Sequence, residues 1–169
     1  KIVLADVEDG ALAAAVDEMK SAGAAVIGVK TDVAKQDQVQ ALADRTIAEF
    51  GAVHVLCNNA GVGGDTGPTW GLALQTWQWV LGVNLWGVVH GMRVFLPMLT
   101  AQGEGHVVNT ASVAGLFSAP FMGPYNASKA AVVAISETAF QELRMAGSPV
   151  GVSVLCPSWV RTRIHEAAR

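Results

Sequence analysis

Five short apolar runs alternate along this chain with longer segments of helical spacing, and that alternation constrains the fold more than any other feature. The first run is Ile2-Val3-Leu4-Ala5, ending at Asp6. Residues 10–22 follow, with Leu12, Val16 and Met19 at helical spacing and Gly23 as the stop. Ala25-Val26-Ile27-Gly28-Val29 is the second run. Over residues 35–50, Val39, Leu42, Ala43, Ile47 and Phe50 fall on one helix face, with Asp37, Gln40, Asp44 and Glu49 on the other. Val53-His54-Val55-Leu56-Cys57 is the third run, and a glycine-rich loop over 58–71 leads to a long helix from about 75 to 100. Residues 105–110 make the fourth strand, 124–146 another helix, and 150–155 the fifth strand, stopped by Pro157. The runs are continuously apolar, the mark of strands covered on both faces and hence of a parallel sheet. Alternation with helices predicts βαβ units, and so one doubly wound α/β domain over residues 1–169. Ligands of such sheets bind at the carboxyl ends of the strands. Chemistry is therefore expected in the loops after Asp6, Val29, Cys57, Thr110 and Cys156.

Composition narrows the classes. Apolar residues make up 51% and charged residues 15%, yet the most apolar stretch, Trp79 to Leu99, is broken by Asn84, His90, Arg93 and Pro97, which argues against a membrane span. A net charge of −3 argues against a nucleic-acid partner. Cys57 and Cys156 each sit in apolar surroundings, which argues against a disulfide scaffold and for a reducing, cytoplasmic compartment. No signal peptide opens the chain. No G-x-G-x-x-G turn joins a strand to a helix, because Gly61-Val62-Gly63-Gly64 has the wrong spacing. The chain begins inside a strand and ends in a charged segment, so it reads as an incomplete copy of a larger domain. His54, His90, His106 and His165 are scattered without ligand spacing, and no metal is expected. Asn126-Ala127-Ser128 matches a glycosylation triplet but lies on an expected helix.

Tyr125 and Lys129 stand four apart on that helix and share a face. A phenol of pKa about 10 is a poor proton shuttle near neutrality. A cation beside it favours the phenolate, so the pair is a candidate general acid/base. The blander reading is an ordinary aromatic and a solvated lysine. Ser112 follows the fourth strand, where its hydroxyl can donate to an oxygen that gains charge, or simply form a turn or cap. Asn58-Asn59-Ala60-Gly61 ends the third strand, with small residues that let backbone approach a flat ligand; turn formation alone also explains it. Asn84, a polar amide inside an apolar helix, needs a partner. That partner is either a neighbouring helix or backbone, or a water or side chain in a relay near Lys129.

Together Asn58-Asn59-Ala60-Gly61, Asn84, Ser112, the Tyr125-x-x-x-Lys129 pair and Pro157-Ser158-Trp159-Val160-Arg161-Thr162 resemble the short-chain dehydrogenase/reductase family, in order and spacing, over essentially the whole chain. The resemblance implies a Rossmann-like fold and hydride transfer between a nicotinamide cofactor and an alcohol or ketone carbon. It implies that Tyr125 moves the proton, that Lys129 lowers the phenol's pKa and holds the nicotinamide ribose, and that Ser112 steadies the substrate oxygen. It further implies that Asn84 binds a water linked to Lys129. Asn59, Ala60 and Gly61 would pack beside the adenosine half, and Asp32 and Val33 would meet the adenine. Pro157, Val160 and Thr162 would line the nicotinamide end. Against the family pattern, the glycine-rich cofactor turn, the first strand and the last strand are missing from this sequence, and Pro157-Ser158 stands where Pro-Gly is usual.

Asp6 ends the first strand, where the adenosine ribose should lie. A carboxylate there accepts both ribose hydroxyls and repels a 2′-phosphate. Val7-Glu8-Asp9 adds no cation, so NAD is expected over NADP. The alternative for Asp6 is a cap for the following helix. Trp77, Trp79 and Trp86 read as core or subunit interface. Trp70 and Trp159 read as walls of an apolar substrate pocket or as a lid over the sheet. The expected substrate is thus a small apolar alcohol or ketone. Surplus apolar residues at Val132, Val133, Ile135, Ala139 and Phe140 suggest subunit burial, in a homotetramer or a homodimer. The competing class is a non-catalytic protein that keeps the fold as a binding or scaffold module.

Overall fold

A computed structural model describes residues 1–162, 164 and 167. Among the described residues, five strands and five α-helices follow in the expected order: β1 (Ile2–Asp6), α1 (Asp9–Ser21), β2 (Val26–Lys30), α2 (Gln36–Phe50), β3 (Val55–Asn58), α3 (Leu74–Leu81), α4 (Gly87–Gln102), β4 (His106–Thr110), α5 (Gly123–Met145) and β5 (Gly151–Leu155). The single long helix expected over 75–100 is instead two helices joined by one wide π turn, Gly82–Trp86. Its cause is at Asn84, whose amide turns inward and bonds other elements (below). Pro97 lies within α4. Gly51 and Gly103 end α2 and α4 at φ 83° and 78°, a left-handed conformation that suits glycine.

All described strand pairing is parallel. β1 pairs with β2, from Ile2 opposite Val26 to Asp6 opposite Lys30. β4 lies between β3 and β5, with Asn58 opposite Asn109 and Thr110 opposite Leu155. The strands thus form a two-stranded and a three-stranded sheet, and the break between β1 and β3 falls where the resemblance expected an additional strand. Burial on both faces does not hold for the three-stranded sheet. Val107 and Asn109 are buried, whereas Val55 and Leu155 are exposed, because α4 and α5 lie against one side of it.

The main core sits between that side, α2 and α4, built from Val39, Ala43, Val94, Phe95, Leu99, Val107 and Val150. Each large member contributes about 1.5–3 kcal/mol by leaving water. Leu12 and Val16 of α1 pack on Val26, Ile2 and Leu4, fixing α1 against β1–β2. The helical stretch Leu74–Gln102 is long and apolar enough to cross a membrane by length and composition. Here its Val80, Val88, Phe95 and Leu99 are buried within the domain. Both cysteines are free.

Candidate active site

Polar side chains collect where the strands end. Lys129 is 2% exposed, and its Nζ donates to the Thr110 carbonyl at 2.8 Å. The same Nζ lies 5.6 Å from the centre of the Tyr125 ring, so phenol and ammonium share one environment. Burial pushes the Lys129 pKa down to about 8, against a smaller Coulombic pull upward from Cys156.

The turn that carries Ser112 is pressed against this pair. Ser112 Oγ accepts from Ala114 N at 3.1 Å, capping the short 3₁₀ turn Val113–Gly115. A Cβ on Gly115 would fall 2.6 Å from the Lys129 carbonyl oxygen, so only glycine lets the turn rest on α5. The Ser112 hydroxyl makes only a long contact, 3.5 Å, with Pro157 O, which also accepts from Val113 N at 2.9 Å. The cap reading of Ser112 is thus realised, with its O–H left largely free to donate.

Asn84 is fully buried, and its amide is committed. Oδ1 accepts from Val62 N at 2.8 Å, while Nδ2 donates to Val62 O at 2.9 Å and to Ser128 Oγ at 3.1 Å. Ser128 in turn donates to Tyr125 O at 2.7 Å. The Asn84 side chain therefore fastens the β3 loop to the Tyr125 helix. A Cβ on Gly61 would stand 3.5 Å from Asn84 Oδ1 and 3.6 Å from Lys129 Nζ, so the loop backbone comes down beside the ammonium. Asn59, exposed, accepts from Thr110 Oγ1 at 3.2 Å. Ala60 is exposed beside it.

The other site residues lie further out along the same edge. Asp6 Oδ1 accepts from Glu8 N at 2.9 Å, a turn-forming bond ahead of α1, with the carboxylate exposed. Asp32 Oδ1 accepts from Ala34 N, and Val33 O faces His90 Nδ1 at 3.0 Å. Val33 packs so closely on α4 that a Cβ on Gly87 would meet it at 2.7 Å. Val160 and Thr162 are exposed. Trp70 and Trp159 are 92% and 98% exposed, so neither lies down on the sheet as a lid. Phe121 holds φ 67°, and its carbonyl accepts from Gly67 N, tying the two loops together. The Asn126 amide donates to Ala119 O and is buried, so the glycosylation triplet is not presented. His54, His90 and His106 stand with separate partners (Glu104, Val33 and Ser153); His165 lies outside the described residues.

Asn109, Ser128 and Ser136 escaped the sequence reading, as did the bond that commits the Asn58 amide. Asn58 Nδ2 donates to Asn109 Oδ1 at 2.8 Å, and Asn109 Nδ2 donates to Ser136 Oγ at 2.9 Å. This buried chain links β3, β4 and α5 beneath Lys129. A polar Asn109 in an apolar strand was the available signal. Ser128, next to Lys129, had a comparable one. The π turn had none beyond Asn84 itself.

Comparison with known proteins identifies the family. The short chain dehydrogenase family model matches residues 1–169. A 1-deoxy-11-beta-hydroxypentalenate dehydrogenase of Streptomyces avermitilis is 39% identical over 164 residues, 96% of this chain and 60% of the relative. A cyclohexanol dehydrogenase of Acinetobacter sp. is 30% identical over 161 residues, 95% of this chain and 63% of the relative. The crystal structure of a short-chain dehydrogenase/reductase from Burkholderia phymatum in complex with NAD superposes with TM-score 0.95 at 57% identity, over 97% of this chain and 58% of that one. The chain thus spans about 60% of the length of such relatives, and over that span it belongs to the short-chain dehydrogenase family.

Proposed function

We propose that the protein carrying this chain oxidises a small apolar secondary alcohol to its ketone, or runs the reverse, with NAD as the hydride carrier. The single observation that carries this reading is the Lys129 ammonium held beside the Tyr125 ring, with the Ser112 turn pressed against the same helix. Two features fit the two ends of NAD: the Lys129 ammonium beside Tyr125 at the nicotinamide ribose, and the exposed Asp6 carboxylate at the adenosine ribose; the small residues of the β3 loop lie between them, with Gly61 close against Lys129. No glycine-rich turn for the diphosphate is in this sequence, so the fit concerns those ends alone. The similar structure in complex with NAD supports this choice of cofactor.

When bound, NAD supplies a ring that accepts a hydride from the alcohol carbon. The chain's own residues handle the proton. Tyr125, as phenolate, takes the hydroxyl proton as the C–H bond breaks and the carbonyl forms. Lys129 places its ammonium beside the ring; one of its N–H donors is used on Thr110 O, leaving others for the phenol oxygen and the nicotinamide ribose. Ser112 Oγ donates to the substrate oxygen and fixes its distance from Tyr125. Asn84 acts by anchoring the loop at Val62 and the helix at Ser128, a positioning role that modifies the expected water-binding one.

Trp70, Leu116, Phe117, Phe121 and Trp159 are exposed on the loops at this edge and supply an apolar, uncharged wall. The relatives named for cyclohexanol and hydroxypentalenate support a cyclic secondary alcohol. A homotetramer, or else a homodimer, is the assembly we favour, with Phe140 on the outer face of α5 available for burial. Free thiols at both cysteines fit the cytoplasmic setting. The decisive experiment is Tyr125→Phe in the complete protein, assayed with NAD and a panel of cyclic alcohols. Turnover should fall by about 10²–10⁴-fold; retention within about tenfold would refute the reading.

A further inference from the structure

The sequence offers no cation after Asp6, yet the strand pairing brings one to its side. Asp6 stands opposite Lys30 in the parallel register of β1 and β2, so the two side chains leave the same face, with the strands about 4.8 Å apart. That face is the one turned to α1. Gly28, two residues before Lys30, is so close to the helix that its Cβ would lie 3.0 Å from Val16, and side chains two apart on a strand share a face. Lys30 therefore points toward the first turn of α1, where its Nζ meets Asp9 Oδ2 at 2.5 Å. Among the described residues its ion pair is with Asp9 and not with Asp6. Asp6 meanwhile uses one oxygen on Glu8 N.

This corner thus holds an exposed carboxylate at the strand end and, one strand away, an ammonium that a 2′-phosphate would attract. What becomes of that ammonium depends on Asp9. We propose that Asp9 is a specificity-determining residue of the cofactor site: by holding Lys30, it withholds that cation from a ribose 2′-phosphate and so disfavours NADP. The inference rests on the reading that the adenosine ribose lies at Asp6. It differs from that reading in assigning the discrimination to a pair outside the strand-end carboxylate. Because the pair is exposed, its own strength is small, which makes it easily broken by a single change. A freed lysine facing a phosphate dianion forms a charge-assisted contact that is stronger than the surface pair it leaves.

Calorimetric titration of the complete protein with NAD and with 2′,5′-ADP tests this without turnover. Asp9→Asn should tighten 2′,5′-ADP by up to about fivefold and leave NAD within about twofold. Adding Lys30→Met to Asp9→Asn should abolish the gain. A gain that survives in the double variant, or no gain in Asp9→Asn, overturns the proposal. Asp6→Asn, run alongside, should weaken NAD at least about fivefold. If it does not, the ribose is not at Asp6 and both readings fall; if it does while Asp9→Asn stays flat, the assignment to Asp9 alone is refuted.

Discussion

Lys129→Met should stabilise the protein at neutral pH while disabling it. A pKa moved from 10.5 to about 8 means that folding disfavours the charged lysine by roughly 3 kcal/mol. Methionine of similar length removes that charge but also the charge-assisted bond to the Thr110 carbonyl, which is worth about 1.5–3 kcal/mol. The expected gain is therefore about 1 kcal/mol at pH 7. Between pH 8 and 10.5 the unfolded chain binds the proton that the folded chain has released, so wild-type stability rises with pH across that window. The advantage of the methionine variant should accordingly shrink to near zero by about pH 10. Urea titrations of both proteins at pH 7, 8.5 and 10, with midpoint and slope fitted together, read this directly. In the same variant turnover with NAD should fall by about 10²-fold or more. A variant that is less stable at pH 7, or whose advantage does not change with pH, would refute the argument that burial rather than pairing sets this lysine's energy. A stabilised but inactive variant would show the proposed catalytic charge to be kept at the expense of the fold.

Three further outcomes test the framework around the site. Gly115→Ala puts a methyl 2.6 Å from the Lys129 carbonyl, where backbone cannot yield; steady-state kinetics should show kcat/KM reduced by about tenfold or more as Ser112 is displaced. Gly91→Ala places its Cβ 2.1 Å from Asn58 Oδ1, an overpacking that should cost about 1–3 kcal/mol in a thermal melt. Ser136→Ala leaves the Asn109 amide short of an acceptor. It should lose about 1–2 kcal/mol, and combining it with Asn109→Leu should cost less than the two single changes added, a non-additivity that a double-mutant cycle measures.

Much of the architecture was legible because local pattern and fold agree. The strand runs fell within two residues of the observed strands, and the Leu12–Val16 and Val39–Ala43 stripes are the buried ones. Periodicity could not give the π turn, since it is one turn long and lies in a segment whose apolar residues fall on more than one face, which hides the rotation of the stripe. It also could not tell that β3 and β5 expose one face, because an apolar run looks the same whether one side or both are covered. At the site, Tyr125 with Lys129 was readable from spacing alone, being neighbours on one helix. The partners of Asn84 lie 22 and 44 residues away, at Val62 and Ser128, and no local pattern carries such distances.

The sequence by itself determined which polar residues stand at which ends of which strands and helices, because residue type and helical or strand period are local properties. The tertiary structure alone decided what each group is free to do. Register set Lys30 beside Asp6, where the sequence places no cation after that aspartate. Burial turned an ordinary lysine into one with a pKa of about 8, and long-range hydrogen bonds spent the Asn84 amide on holding the frame. Charge and hydrogen bonding act through space, so their balance is fixed only once distant segments of the chain are brought together.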